Sequence, residues 1–287
     1  MKYAVTAATA ATGRFGRVAV EQLVDLVGKD QVVAIVRDVA KGRELLPAGI
    51  EIRQGDYADQ AGMTSALAGI DRLLFISSQP GGPVSRETQH LNVVAAAKEA
   101  GVSLVAYTSY PQADQAKAPL AHDHQVTEAA IKEAGLAHAF LRDNWYLEND
   151  ASFLTAGKEG QAAIYWTTGK AAWAPEALYA TAAAKVLVSD QPKEVYEFGG
   201  QPISYEELGD ALKEALGKEV EVAKLSREAY EAALVKSGMD EAMATMIASF
   251  EEPHEAGDLD VTSDDLATVL GHPLPTLVAS IKELLAK

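Results

Sequence analysis

Tyr3-Ala4-Val5-Thr6-Ala7-Ala8-Thr9-Ala10-Ala11-Thr12-Gly13-Arg14-Phe15-Gly16 is followed, one helix later, by Val32-Val33-Ala34-Ile35-Val36-Arg37. The first stretch is an apolar run, a loop of small residues and the start of a helical pattern. The second is a strand that delivers an arginine at its tip. Strand, loop, helix, strand is the opening unit of a parallel α/β sheet, and its loop presents backbone amides where oxyanions bind. That layout suits a dinucleotide, with the pyrophosphate on the loop and the adenosine ribose at the second strand's tip. An acidic residue there takes a ribose 2′-hydroxyl, whereas an arginine accommodates a 2′-phosphate, so Arg37 favours NADPH over NADH. Asp38, next door, is placed to blunt that preference.

Glycine is sparse in the loop. A nucleotide-binding loop of the TGxxGxxG kind wants glycine where this chain has Ala10, and only Gly13 and Gly16 remain. A Cβ at the tight turn restricts φ and crowds the closest approach of a cofactor. The Thr-Ala-Ala unit repeats, so two registers are open: the strand runs on to Thr9, or extra residues bulge ahead of the phosphates. Alone, the loop reads equally well as a plain strand-to-helix turn. Its context is what favours a dinucleotide.

That context is an alternation of strand and helix, the mark of a parallel sheet covered on both faces. Ala19, Leu23 and Leu26 lie beside Val20, Val24 and Val27 at helical spacing, making one broad apolar stripe that ends at Gly28. Further strands are predicted at Ile50 to Gln54, Leu73 to Ser77, Ser103 to Thr108 and Ala137 to Leu141, with helices over Met63 to Ala68, Arg86 to Ala100 and His122 to Ala134. Six strands with right-handed crossovers make a doubly wound Rossmann sheet, whose ligand lies at the strands' carboxyl ends. Those ends carry Asp56-Tyr57, Ser77-Ser78-Gln79, Thr108-Ser109-Tyr110 and Arg142-Asp143-Asn144-Trp145-Tyr146. Beyond about residue 150 the pattern loosens. A last strand at Val195 to Phe198 precedes a helix capped by Ser204 and Glu207, then helices over Arg227 to Lys236, Asp264 to Leu270 and Thr276 to Leu285. The division expected is a dinucleotide-binding part over 1–150 and a small C-terminal helical, substrate-side lobe over 151–287, packed as one unit.

With 48% hydrophobic residues the chain can bury a sizeable core. A formal charge of −16 and the lack of any basic cluster argue against a nucleic-acid surface. Zero cysteines exclude disulfides, thiolate metal ligands and a cysteine nucleophile. Met1-Lys2 runs straight into a strand with no signal-peptide pattern, and no apolar stretch approaches a membrane span. A cytoplasmic protein without membrane partners is expected.

The chain resembles the atypical short-chain dehydrogenase/reductase superfamily and, within it, the NmrA-like group, nearest the NAD(P)H-dependent quinone oxidoreductase 2 type that includes triphenylmethane reductases. The residues that carry the resemblance are Ala11 to Gly16, Val33 to Arg37, Arg53-Gln54-Gly55-Asp56-Tyr57, Leu74 to Ser78, Tyr107-Thr108-Ser109 and His124 with Thr127-Glu128. The most specific run is Leu141-Arg142-Asp143-Asn144-Trp145-Tyr146-Leu147-Glu148-Asn149, and Leu270-Gly271-His272-Pro273 fits the ending. The resemblance implies that Ala10, Ala11, Thr12, Gly13, Arg14 and Phe15 hold the pyrophosphate, and that Arg37 takes the 2′-phosphate. By the same resemblance Asp56 meets the adenine amino group. Ser77, Ser78 and Gln79 then run beside the nicotinamide ribose, and Asn144, Trp145 and Tyr146 border nicotinamide and substrate. Two departures stand out. Ala10 replaces the first glycine, and Glu176 and Leu178 stand where relatives often carry Arg and Asp.

Typical short-chain dehydrogenases use Tyr-x-x-x-Lys, in which lysine lowers the pKa of the tyrosine that protonates an alkoxide. None of the ten tyrosines here has a lysine four residues on. Quinone reduction needs less help, because its product anion is phenolate-like and weakly basic. The protein must chiefly align nicotinamide C4 with the acceptor and exclude water. Tyr146, Asn144 and Tyr110 are the candidates to hydrogen-bond the acceptor oxygen; each also reads as a packing or rim residue. His124 and Glu128 share a helix face, which reads better as a structural pair than as a metal or relay site. His90, His138, His254 and His272 belong to no visible constellation, and no metal site or flavin motif is evident. The leading expectation is an NADPH-dependent oxidoreductase acting on quinones or similar planar acceptors. The alternatives are a non-catalytic redox sensor that binds the dinucleotide, and a scaffold that has lost nucleotide binding.

Overall fold

Strands that are apolar on both faces need cover on both, and these strands have it. The computed structural model describes residues 1–9, 14–79 and 83–286. Seven strands form one sheet: β1 (Tyr3–Val5), β2 (Val32–Val36), β3 (Glu51–Gln54), β4 (Arg72–Phe75), β5 (Leu104–Ser109), β6 (His138–Asp143) and β7 (Val195–Phe198). All pairings are parallel, and the spatial order is β7-β6-β5-β4-β1-β2-β3. Because successive side chains point to opposite faces, Leu73, Phe75, Val105 and Tyr107 pack on one side, and Leu74, Ala106 and Leu141 on the other. The first face is covered by α3 (Gln60–Ala66), α4 (Arg86–Glu99) and α5 (Ala121–Glu133). The second is covered by α1 (Phe15–Val27) and, from much further along the chain, by residues of Glu176–Val188 and Asp265–Leu270. The helix α2 (Val39–Leu45) joins β2 to β3.

The sequence pattern predicts six strands in this sheet. The seventh is Val195–Phe198, which pairs in register with Phe140–Asp143 of β6. After α6 (Ala151–Glu159), the helix that carries the chain there is α7 (Glu176–Val188). Its run of buried Ala180, Ala182, Ala183 and Ala184 lets it lie close to the sheet, but leaves no amphipathic period to read. The strand does not run on to Thr9: β1 stops at Val5, and the chain turns at once with Ala7 at φ 50°. Residues 10–13, which carry the expected contacts of Ala10, Ala11, Thr12 and Gly13, lie outside the described residues. Gly16 is where glycine is obligatory, since a Cβ there would lie 2.7 Å from Ala8 Cα and 2.8 Å from Ala7 O.

The remaining C-terminal helices are α8 (Tyr205–Leu216), α9 (Arg227–Lys236), α10 (Glu241–Ser249), α11 (Glu252–Glu255), α12 (Asp265–Leu270) and α13 (Leu277–Leu285). Of these, α8 and α13 build a second, aromatic-rich core with Trp145, Phe153, Tyr165 and Trp173, α9 and α10 pack in a smaller cluster of their own, and α12 lies on the sheet. No described helix is long and apolar enough to cross a membrane.

Candidate active site

The order of strands reverses between β1 and β4, so the crevice for a ligand opens at their carboxyl ends. There α1 begins, and it begins unusually. The helices α2, α3 and α4 are capped by the side chains of Asp38, Asp59 and Ser85, but α1 has neither a side-chain cap nor an acidic residue in its first turn. Instead the carboxylate of Glu176, from the start of α7, accepts the Arg14 backbone N–H at 2.8 Å. An oxyanion therefore already sits on the amides that would face a pyrophosphate, which shows that the helix terminus accepts such a group. Burial raises the pKa of this carboxyl, against the pull of the Arg14 and Phe15 amides. At the tip of β2, Arg37 is exposed. Its neighbour Asp38 caps α2 through Lys41 N–H at 3.1 Å, so that carboxylate is committed elsewhere. Asp56 is exposed beyond β3 and accepts the Ala58 N–H.

The segment after β4 is clamped from several elements. Ile76 N–H donates to Thr6 Oγ1 (3.1 Å), Ser77 N–H to Thr108 Oγ1 (2.8 Å) and Ser78 N–H to His90 Nε2 (3.0 Å). Tyr57 donates to the Ile76 carbonyl (2.7 Å) and Arg86 Nε to the Ser78 carbonyl (2.6 Å). Gln79 is exposed just beyond. Behind this strip Arg86 Nη2 lies 3.0 Å from His124 Nε2, and His124 Nδ1 lies 2.9 Å from the Tyr107 hydroxyl. A guanidinium and a backbone N–H can only donate, so Nε2 accepts in both rings and Nδ1 carries the proton. His90 then donates to Thr127 Oγ1 (2.8 Å), whose own proton goes to the Asp123 carbonyl (2.6 Å). Both imidazoles are neutral. Burial and the Arg86 charge push His90 down to about 3, and His124 is lowered for the same two reasons.

His90 thus belongs to a buried constellation that its sequence context hides. Arg86 and His90 are four apart on α4, a spacing that puts them on one face, and that was the available signal. His124 and Glu128 share a face of α5 but serve different partners. Glu128 accepts from Ser109 Oγ (2.6 Å) and twice from Arg142, which also reaches Glu197 and Asp114. Among the described residues no group of three or more His, Asp or Glu is arranged to hold a metal.

The run after β6 divides its side chains between two neighbourhoods. Asn144 is buried, with Nδ2 donating to the Leu259 carbonyl (3.1 Å) and Oδ1 accepting the Ala172 N–H (2.9 Å). Trp145 turns into the C-terminal core, where its Nε1 donates to Asp150 (3.0 Å). Tyr110 is buried and donates to Asp258 (3.1 Å), which also receives the Lys117 and Ala118 amides. Tyr146 faces the other way. It is half-buried, its ring centroid lies 6.1 Å from that of Phe15 at the start of α1 and 5.0 Å from that of Tyr179, and its hydroxyl is 2.7 Å from Asp143 Oδ2. Asp143 Oδ1 is buried without a hydrogen-bond partner among the described residues. Burial, and then the charge of Glu176, push the Asp143 carboxyl up to about 8, and Tyr146 is raised by burial and by Asp143. Of the expected catalytic residues, only Tyr146 reaches the side of the crevice where α1 opens.

Residues 10–172 match the family described as NAD(P)H-binding. Across 97% of this chain and 98% of the relative, 39% of residues are identical to quinone oxidoreductase 2 of Escherichia coli K12. The crystal structure of the NADPH-dependent quinone oxidoreductase from E. coli in complex with NADPH superposes with a TM-score of 0.89 at 38% identity, covering 99% of both chains. Triphenylmethane reductase of Citrobacter sp. does so with a TM-score of 0.91 at 33% identity, over all of both chains. The protein is an oxidoreductase of the NAD(P)H-binding family, similar along nearly its whole length to quinone oxidoreductase 2 and to triphenylmethane reductase.

Proposed function

We propose that the protein binds NADPH in preference to NADH and passes hydride directly to a quinone or a similarly planar, electron-poor acceptor, with no flavin or metal as intermediary. The observation that carries this reading is the oxyanion seat at α1 with Arg37 at the tip of β2, an arrangement suited to a 2′-phosphorylated dinucleotide. Arg14 and Phe15, with residues 10–13, would hold the pyrophosphate once Glu176 withdraws. Arg37 would pair with the 2′-phosphate, and Asp56 would meet the adenine amino group. The strip Ser77-Ser78-Gln79 would lie along the nicotinamide ribose. When bound, the cofactor supplies the hydride. Tyr146 lines the acceptor's place and donates a hydrogen bond to its oxygen, while Asn144, Trp145 and Tyr110 fix the wall behind it. Water exclusion and alignment suffice because the product anion is phenolate-like. A basic oxyanion would need the Tyr-Lys pair that this chain lacks.

Titration of the protein with NADPH and with NADH, followed by 1,4-benzoquinone, tests the reading. Micromolar binding of NADPH is expected, with quinone-dependent loss of its absorbance. Arg37→Ala should weaken NADPH about 10-fold, or about 1.4 kcal/mol, and leave NADH nearly unchanged. Tight binding without oxidation would turn the protein into a sensor, and stoichiometric flavin in the purified protein would overturn direct transfer.

A further inference from the structure

Hydride transfer leaves a reduced quinone one proton short. That proton comes either from solvent or from a donor in the site, and the chain lacks the usual Tyr-Lys pair. At the end of β6, Asp143 is a carboxyl group with one oxygen 2.7 Å from the Tyr146 hydroxyl and the other buried with no partner among the described residues. Its register partner on β7 is Phe198, which offers nothing to neutralise a charge. The titratable groups that act on it are Tyr146, Tyr179 and Glu176, with Arg14 and Glu148 acting on Glu176 from behind. None of the three is a cation, and Glu176 opposes ionisation. A carboxylate in this place would be short of one hydrogen bond and repelled by a neighbour. A carboxylic acid, by contrast, can turn its O–H onto the Tyr146 oxygen and free the tyrosine's proton to point outward.

We propose that Asp143 is the proton reservoir of the reaction, acting through the Tyr146 hydroxyl on the oxygen of the reduced acceptor. The proposal rests on the hydride-transfer reading above. As hydride adds to the quinone, the electron pair that arrives leaves an anionic oxygen. The Tyr146 O–H bond breaks as an O–H bond forms on that oxygen, and the Asp143 O–H bond breaks as Tyr146 recovers its proton. One quinone, one NADPH and one proton become hydroquinone and NADP+. Once product leaves, half-buried Tyr146 is the route by which water reprotonates Asp143. The proton runs downhill, because a phenolic oxygen with a pKa of about 10 receives it from a carboxyl held up to about 8. A donor poised near working pH is what general acid catalysis favours.

A second acceptor makes the test discriminating. Malachite green, a cationic triphenylmethane dye, takes hydride at its central carbon and becomes neutral without any proton. With wild-type protein, kcat for 1,4-benzoquinone should fall above about pH 8 and show a solvent deuterium effect of about two or more, whereas dye reduction should show none. Asp143→Asn preserves the shape and a hydrogen bond to Tyr146. It should lower quinone kcat by about 100-fold and abolish the alkaline limb, with dye reduction lowered no more than about threefold. Tyr146→Phe should split the two acceptors in the same direction, which keeps the test open if Asp143→Asn folds poorly. Equal losses on both acceptors, or an Asp143→Asn enzyme that keeps the limb and the isotope effect, would overturn the proposal. A wild-type protein that binds NADPH but reduces neither acceptor would overturn the hydride-transfer reading itself, and the reservoir with it.

Discussion

Ser78 shows how much of this site is set by side chains that never touch a ligand. Its N–H is taken by His90 and its carbonyl by Arg86, so the peptide that would face the cofactor ribose has one orientation. His90→Phe removes the acceptor and leaves a part-buried N–H without its partner, which costs about 1 kcal/mol. Thermal melting should register that loss, and NADPH binding should weaken while Arg37-dependent discrimination against NADH stays intact. Unchanged affinity would mean that the strip does not meet the cofactor. The polar strand ends Ser77, Ser78 and Asp56 were legible because strand ends follow from hydrophobic run lengths. His90 and Tyr146 were not separable from their neighbours in the same way. What distinguishes Tyr146 from Asn144, Trp145 and Tyr110 is which way each points, and that is decided by Leu259, Asp150 and Asp258, residues that sequence cannot bring near.

Among the elements, α1 differs from α2, α3 and α4 in borrowing its cap, as α7 in turn borrows the Glu148 carboxylate for its Glu176 N–H. Asp38, Asp59 and Ser85 satisfy α2, α3 and α4 from the adjacent residue, whereas α1 depends on a carboxylate at the head of α7. Glu176→Ala should therefore cost about 1 kcal/mol in cofactor-free protein, the usual value of a lost cap. The same substitution should cost little in saturating NADPH, because the cofactor's own phosphates would then occupy the seat. Differential scanning calorimetry with and without NADPH reads both, and an equal loss in the two conditions would mean that Glu176 and the phosphates do not compete. The paired helices and strands of the first half were readable from their alternating periods. The helix α7 was not, because alanines all round give no period; Val195–Phe198 was legible as a strand, but without α7 nothing joined it to the sheet as β7.

Over the whole molecule, burial of ionisable groups sets a working range of pH. His90 and His254 are pushed down to about 3, both chiefly by burial. Unfolding below about pH 6.5 lets each take up a proton, so stability falls as pH drops from there toward the folded values. Asp143 and Glu251 are pushed up to about 8 and about 7 by burial, and unfolding above about pH 4 lets each release a proton. Their contribution therefore falls as pH rises from about 4 toward 7 or 8. The two slopes nearly cancel between about pH 4.5 and 6, so melting temperature measured from pH 4 to 9 should be almost level there and fall from about pH 6 toward 8. A melting temperature that rises steadily to pH 9 would contradict this assignment of buried neutral acids. The architecture also has a bearing on how the chain is made. β6 waits for β7 to close its edge, and the face of the sheet under α1 waits for α7. A ribosome adding about 5–20 residues per second needs roughly 3–11 seconds to travel from Asp143 to Phe198. Throughout that interval the nascent chain displays an open parallel edge and an uncovered apolar face, which makes these seconds of synthesis the time when it most needs a chaperone.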